Sequence, residues 1–531
     1  MCKIGLPVLY LARQRPFHWR VLFTKKFRLD FAGRARILCE CREEGIKVLF
    51  LFPDGSKDGR KTAIAILACI LAGWSFPVMP EPIDPFSTRG LTASSVSDSV
   101  HRPLAMAPCG NVPVSGTRLT LADVVERALC NNPQTREVWA NARVQAAQVG
   151  VSQSAYLPTI SVGASQNRSR IEGGGSRAPG ATNLSQHSLN ASLNYLLYDF
   201  GGRAAALDNA RQVLTALNLT QDATIQSVFL AAVQAYYQFF STRAAVESLE
   251  QAEKSALESV HAATSRHKVG TGTLADRLQA ETAHSQATLL RIQAEGEARN
   301  ARGVLANVMG EDANRDFAIA SPTLHMAGVQ FERDIAGLIE EARNLRPDLA
   351  AAKAQVNAAK ASVEVAKAAG MPTISLTSNV SESNFGIFAP ASNASVGVSV
   401  NFPLFTGFNN TYRIRAAETQ VEARLAQSEK LSQQIALDVW KAYQGVLTGT
   451  QAVKSSLTLL SGATQSERVA RGRYQAGVGN ILDLLLAQAS LANARMQNIQ
   501  AIYNWHIAKA VLAQSMGMLD FPALAPGKTN R

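Results

Sequence analysis

From Arg203 to Val269 the chain runs 67 residues without a glycine or a proline, the two residues that most readily interrupt a helix. Apolar side chains recur through it at helical spacing, at Leu207, Ala210, Leu214 and Leu217 and again at Ile225, Val228, Ala232, Tyr236 and Phe239. One helix is predicted, about 100 Å long at about 1.5 Å per residue. A rod of that length cannot be enclosed in one compact globule. Its apolar stripe needs other helices alongside, from this chain or from copies of it.

The long helix is one part of a plan that occurs twice. Leu157-Pro158-Thr159-Ile160-Ser161 returns as Met371-Pro372-Thr373-Ile374-Ser375, and Asn132-Pro133 returns as Arg346-Pro347, both at an offset of 214. Val269-Gly270-Thr271-Gly272 returns as Ala476-Gly477-Val478-Gly479, and Met309-Gly310 as Met516-Gly517, both at 207. A tandem duplication accounts for both offsets, and the surplus of 7 between 214 and 207 fits a loop at Gly173-Gly174-Gly175-Ser176. The predicted organisation is a leader over 1–75, a Pro/Ser-rich tether over 76–116, repeats over 117–331 and 332–517, and a tail over 518–531.

Each repeat reads in the same order. A helix of about 38 residues (Leu119 to Tyr156; Ile335 to Gly370) ends near Pro158 or Pro372. Two strands follow. Ile160, Val162 and Ala164 alternate with Ser161, Gly163 and Ser165; Leu189, Ala191, Leu193 and Tyr195 alternate with Ser188, Asn190, Ser192 and Asn194. The second repeat matches with Ile374, Leu376 and Val380, then Val396, Val398 and Val400 against Ser395, Gly397 and Ser399. Period two, apolar on one face and small and polar on the other, is the signature of a strand. The strand pair ends at Gly201-Gly202 or Gly407, where the long helix departs (203–269; 408–476). That helix turns at Gly270 and Gly272, or Gly477 and Gly479, and a helix of about 40 residues returns to Gly310 or Gly517. The two shorter helices should stack end to end beside the long one, with a belt over Glu311 to Phe331 at their join.

Strands of about ten residues with one oily face suit a membrane barrel around a watery lumen, although a two-sided sheet on a soluble core has the same pattern. Four strands per chain cannot close a barrel, and an open edge in lipid leaves backbone groups unpaired at several kcal/mol each. Three copies give twelve strands, an even number wide enough for a lumen. The fold class predicted is therefore mostly α with a membrane β portion: a trimeric 12-stranded β-barrel continued by a long α-helical barrel, built from an internal tandem repeat.

The net charge of +12 resembles a nucleic-acid signal until it is located. Residues 1–75 carry 14 Lys and Arg against 6 Asp and Glu, leaving 39 against 35 for the rest, so no nucleic-acid partner is expected. Within that first segment Lys57, Arg60 and Lys61 precede the apolar run Ala63 to Ala72, then Gly73, Ser75 and Pro77: the layout of an export signal, too short to span a bilayer. The residues ahead of it imply a later translation start or an extended leader. Ile66-Leu67-Ala68-Cys69 faintly resembles a lipoprotein box. Outside the leader only Cys109 and Cys130 remain, too few for a disulfide framework and too far apart for a metal knuckle.

This plan, together with Tyr198-Asp199-Phe200-Gly201-Gly202-Arg203 and Tyr474-Gln475-Ala476-Gly477-Val478-Gly479-Asn480-Ile481-Leu482-Asp483, resembles the TolC family of outer-membrane channel tunnels over about residues 117–520. In flavour it is similar to the branch serving type I secretion of large RTX toxins, the CyaE-like cyclolysin exporters. The resemblance implies a homotrimeric duct in outer-membrane lipid whose tunnel reaches into the periplasm. It also implies docking, through the turns at Gly270, Gly272, Gly477 and Gly479, to a periplasmic adaptor and an inner-membrane ABC transporter that supplies the energy. By position Asp483 matches an acidic ring at the periplasmic constriction, Tyr474 a latch tyrosine, and Asp276 its partner. Two positions depart from the family pattern: Gly479 stands where the latch has an arginine, and Leu486 where a second acidic residue is found. Two carboxylates per chain at a narrow mouth would attract cations and repel anions. The same aspartates would also suit helix starts on dipole grounds alone.

Other chemistry is poorly supported. Gly527-Lys528-Thr529 lacks the upstream glycine of a phosphate loop, the histidines form no metal-ligand spacing, and no nucleophile elbow stands out, so neither enzyme activity nor a cofactor nor a metal is expected. Two alternatives remain: the channel of a proton-driven drug efflux pump, and a soluble coiled-coil scaffold.

Overall fold

The computed structural model describes residues 84–92, 118–173, 180–322, 334–384 and 390–519. The predicted leader, most of the tether, the glycine-rich loop, the belt beyond Pro322 and nearly all of the tail lie outside them. In order the elements are α1 (Leu121–Asn131), α2 (Pro133–Ser154), β1 (Thr159–Gly173), β2 (Gly180–Tyr198), α3 (Gly202–Lys268) and α4 (Leu274–Val308). They are followed by α5 (Ile335–Leu345), α6 (Pro347–Ala368), β3 (Thr373–Asn384), β4 (Ala391–Asn401), α7 (Asn409–Gln475) and α8 (Ile481–Ser515). Each helix of the first half has a counterpart of equal length in the second: 11 residues for α1 and α5, 22 for α2 and α6, 67 for α3 and α7, 35 for α4 and α8.

The single helix of about 38 residues predicted at the start of each half is instead two. The breaks fall at Asn132 and Arg346, both extended (ψ 130° and 121°). A residue before proline is pushed out of the helical region, and the proline ring then opens a new helix at its first position. Asn132 caps α2 by accepting from Gln134 N, and Thr120 forms a reciprocal capping box with Asp123 at the start of α1. Cys130, in the last turn of α1, is disulfide-bonded. A disulfide suits an oxidising compartment.

The breaks sit where the core is thickest. Val124, Ala128, Val228, Ala232, Leu305 and Met309 are buried together at one level. Leu338, Ala342, Ile435, Val439, Leu512 and Met516 form the equivalent cluster in the second half. Each large side chain so enclosed contributes roughly 1.5–3 kcal/mol. Here too the shorter helices meet end to end. Gly310 (φ +73°) lies so close to the end of α1 that a β-carbon on it would be 2.6 Å from Asn131 O, and Gly517 (φ +75°) stands likewise 3.1 Å from Leu345 C.

The four strands form one antiparallel sheet in the order β1-β2-β3-β4. Cross-strand partners Ile160 and Leu193, Val162 and Ala191, Ile374 and Val400, Leu376 and Val398 place the apolar residues on one face. On the other, Ser161 meets Ser192 and Ser165 meets Ser188, each hydroxyl pair at 2.7 Å. The apolar face is bare: Ile160, Val162, Val396, Val398 and Val400 are all exposed, and no described element covers them. A sheet lying on a soluble core requires the opposite.

Lateral packing is ordered in the same way at every level. Along one half of α3 and α7 the neighbours run α4, α3, α8, α7; along the other they run α2, α3, α6, α7. The sheet runs β1 to β4. All three tiers thus end on β1, α2 and α4 at one side and on β4 and α7 at the other. No described helix is long and apolar enough to cross a membrane.

Candidate functional site at the helical turns

The sheet passes into the long helices through tight left-handed turns. Pro158 and Pro372 directly precede β1 and β3, where they stop the upstream helices. At the other end Phe200 and Gly201 (φ 52° and 93°) lead into α3, and Gly407 and Phe408 (φ 60° and 63°) lead into α7. Gly202 is the first residue of α3 and packs on Ala368 of α6. Arg203 ties the first junction together: its Nη1 donates to Leu196 O at 2.7 Å, its Nε pairs with Asp199 at 3.3 Å, and its guanidinium covers Tyr156 at 4.9 Å. Asn410 stands at the matching place in the second junction, and Leu404, Phe405, Phe408 and Tyr412 are exposed around it. These exposed aromatic rings lie at the end of the sheet whose apolar face is bare.

At the far end each long helix closes in a left-handed glycine turn. Gly270 (φ +77°) lets Thr271 N and Gly272 N both reach Arg266 O, at 2.9 and 3.1 Å; Gly477 (φ +79°) lets Val478 N reach Arg473 O at 3.0 Å. The second glycine of each turn is required by space. A β-carbon on Gly479 would lie 2.9 Å from Tyr474 N and 3.0 Å from Arg473 C, and one on Gly272 would lie 3.1 Å from Arg266 Cβ. A side chain at 479 would therefore press on the last turn of α7 and force this turn to shift.

The returning helices begin on polar caps. Thr273 Oγ1 accepts from Asp276 N at 3.1 Å while Asp276 Oδ2 accepts from Thr273 N at 3.0 Å. Asn480 caps α8 by accepting from Leu482 N, and Asp483 lies exposed in the first turn of that helix. Leu486, one turn on, is also exposed.

Tyr474 is buried between the two tips, in a cluster with Ile481 and Leu484. Its predicted partner, Asp276, is near enough to act on it electrostatically, but the Asp276 carboxylate is engaged by Thr273. The residue that holds Tyr474 is Arg266, at the end of α3. Its guanidinium lies over the Tyr474 ring at 4.1 Å and its Nη2 donates to Tyr474 O. Burial raises the Tyr474 pKa, the Arg266 charge opposes that rise, and Asp276 adds to it. Arg266 is not among the residues that the sequence singles out; its one signal there is that an arginine precedes the latch position in both turns, as Arg266-His267 and Arg473-Tyr474. Among the described residues no cluster of His, Cys, Asp and Glu is arranged to hold a metal ion.

Paired long helices, a bare apolar sheet and two glycine-turn tips define the subunit of an outer-membrane channel. More particularly, a model of the family described as Outer membrane efflux protein matches residues 124–311 and 338–518, and the chain belongs to that family. It is a protein of the outer membrane. Protein CyaE of Bordetella pertussis is 29% identical over 415 residues, 77% of this chain and 86% of that protein. Outer membrane efflux protein BepC of Brucella suis is 27% identical over 413 residues, 75% of this chain and 86% of that protein. The outer membrane protein VceC of Vibrio cholerae shares the fold, with a TM-score of 0.65 at 20% identity over 75% of this chain and 96% of that one.

Proposed function

We propose that three copies of this chain form the outer-membrane exit duct of a type I secretion system, through which a protein toxin of the RTX kind passes from an inner-membrane ABC transporter and a periplasmic adaptor to the outside. The supporting observation is the four-stranded sheet with a bare apolar face and two free edges, continuous with helices that end on the same two sides. An open sheet edge in lipid is costly, and a head-to-tail interface that closes on itself removes both edges at once. The duplicated plan then gives a barrel of twelve strands above a ring of helices. The turns at Gly270, Gly272, Gly477 and Gly479 project the tips toward an adaptor.

At the mouth, Asp483 supplies one exposed carboxylate per chain and Asp276 a second, partly occupied by its own cap. Carboxylates gathered at one constriction draw in cations and are cross-bridged by divalent ones. Purified protein in a planar bilayer should conduct, be blocked by divalent cations from the side of the tips, and lose much of that block in Asp483→Asn. Block unchanged by that substitution would remove the acidic mouth.

The cargo has a second reading. BepC is named an efflux protein, and a passive water-filled bore places no chemical demand that separates a toxin from a drug. Deleting the gene decides between them: loss of a secreted toxin with drug sensitivity unchanged supports the first, and the reverse supports drug efflux.

A further inference from the structure

The offset of 207 relates α3 to α7 and α4 to α8 residue by residue, because the paired helices have equal lengths of 67 and 35. Within the chain α3 is packed on both flanks: α4 on one and α8 on the other at the tip end. At the same end its counterpart α7 has α8 on one flank and, among the described helices, none packed on the other. Burial records the missing neighbour. Val233 on α3 is fully buried at 0%, whereas Trp440, its counterpart on α7, is 48% exposed. Ser259 is 3% exposed, and its counterpart Ser466 lies on the surface. On the opposite side of the chain, Leu278 of α4 is exposed where its counterpart Leu485 of α8 packs against the Tyr474 cluster.

The contacts that α3 makes with the second tip are specific. Arg266 covers the Tyr474 ring, and Ser259 Oγ donates to Gln488 Oε1 at 3.2 Å. Shifted by 207, Arg266 becomes Arg473 and Ser259 becomes Ser466, both on the uncovered flank of α7. Tyr474 shifted back becomes His267, and Gln488 becomes Glu281, both at the α3–α4 tip. The chemistry survives the exchange. An imidazole offers a flat ring to a guanidinium as a phenol does, and a serine hydroxyl can donate to a carboxylate as to an amide oxygen. His267 is half-buried with Nδ1 3.3 Å from Gly272 O, which orients the ring, and Glu281 is steadied by Arg277 at 3.2 Å.

We infer that the free flank of α7 is completed by the α3–α4 tip of a second copy, with Arg473 lying over that copy's His267 and Ser466 donating to its Glu281. This rests on the ring assembly proposed above and adds to it the residues that meet at each seam. The tip of the assembled ring then carries alternating clasps, Arg266 on Tyr474 within each chain and Arg473 on His267 between chains.

The test is a pair of cysteines, His267→Cys with Arg473→Cys, in the full-length chain purified in detergent and oxidised. On a non-reducing gel the monomer band should shift to dimer and trimer positions, return with thiol, and stay put in either single variant. The pair Arg266→Cys with Tyr474→Cys should instead leave the chain at monomer size, since it closes within one copy. If light scattering shows an assembly and the first pair still runs as monomer, the seam residues are wrong while the ring stands. If light scattering shows a single chain, both readings fall. Should the cysteine variants not fold, conductance of Arg473→Ala, His267→Ala and the double variant decides. A double variant no more open than either single supports the pairing, and additive effects overturn it.

Discussion

At the scale of the residue, Arg266 and Gly479 together explain how this tip departs from the family pattern. In the turn that brings Tyr474 under Arg266 a β-carbon at 479 would crowd the Tyr474 and Arg473 backbone, and the cation over the ring comes from the neighbouring long helix. Replacing Gly479 with arginine should therefore loosen the tip: single-channel conductance in a planar bilayer should rise, where a restored latch would lower it. Arg266→Ala should raise conductance too, since a partly desolvated cation–π contact contributes about 1–2 kcal/mol to the arrangement it holds. A second residue-scale effect sits far from the tip. His506 is buried against Tyr237, stacked at 5.1 Å, with Nε2 unpartnered, and burial first and the Lys509 charge second push its pKa down to about 4. The fold favours the neutral ring, so its contribution is complete above the ordinary value of 6.5 and is lost as pH falls through about 4. Thermal melts across that window should fall more steeply for the native chain than for His506→Gln; parallel curves would mean that this histidine does not titrate with unfolding.

At the scale of the element, the joins between the stacked helices are the points of least tolerance. Gly310 combines a left-handed backbone with an approach to Asn131 O that admits no side chain, so Gly310→Ala should cost on the order of 2 kcal/mol or more. The α1 break at Asn132-Pro133 lies beside it, and hydrogen exchange in α1 and the end of α4 would report the loss. These elements also show what was legible in the sequence. The long helices, the glycine turns and the alternating strands were plain because their signals are local: the absence of breakers, a left-handed glycine, a period of two. Asn132-Pro133 and Arg346-Pro347 mark the duplication in the sequence, but the break they impose competes with an otherwise continuous helical pattern, and only the structure shows that the break wins. Arg266 was invisible for a different reason. Its partner is 208 residues away, and only the lateral order of the helices brings the two together.

At the scale of the whole molecule, the flank of α7 decides whether the chain is complete. A tryptophan 48% exposed at the level of the buried core, where the equivalent place on α3 holds a fully buried valine, has little to do in an isolated subunit. Trp440 is half exposed and is a member of neither buried cluster at this level, so a charge there should leave the chain's own packing nearly intact. At a seam between copies it would sit among apolar side chains with no counter-charge, and a large aromatic anchor lost from such a place commonly costs 2 kcal/mol or more, about 30-fold in affinity. Trp440→Glu should therefore keep the helical circular dichroism of the native chain while shifting the detergent-solubilised protein toward single subunits by light scattering. An undisturbed assembly would place the seam elsewhere, and a collapse of the helical signal would make Trp440 part of the subunit's own core.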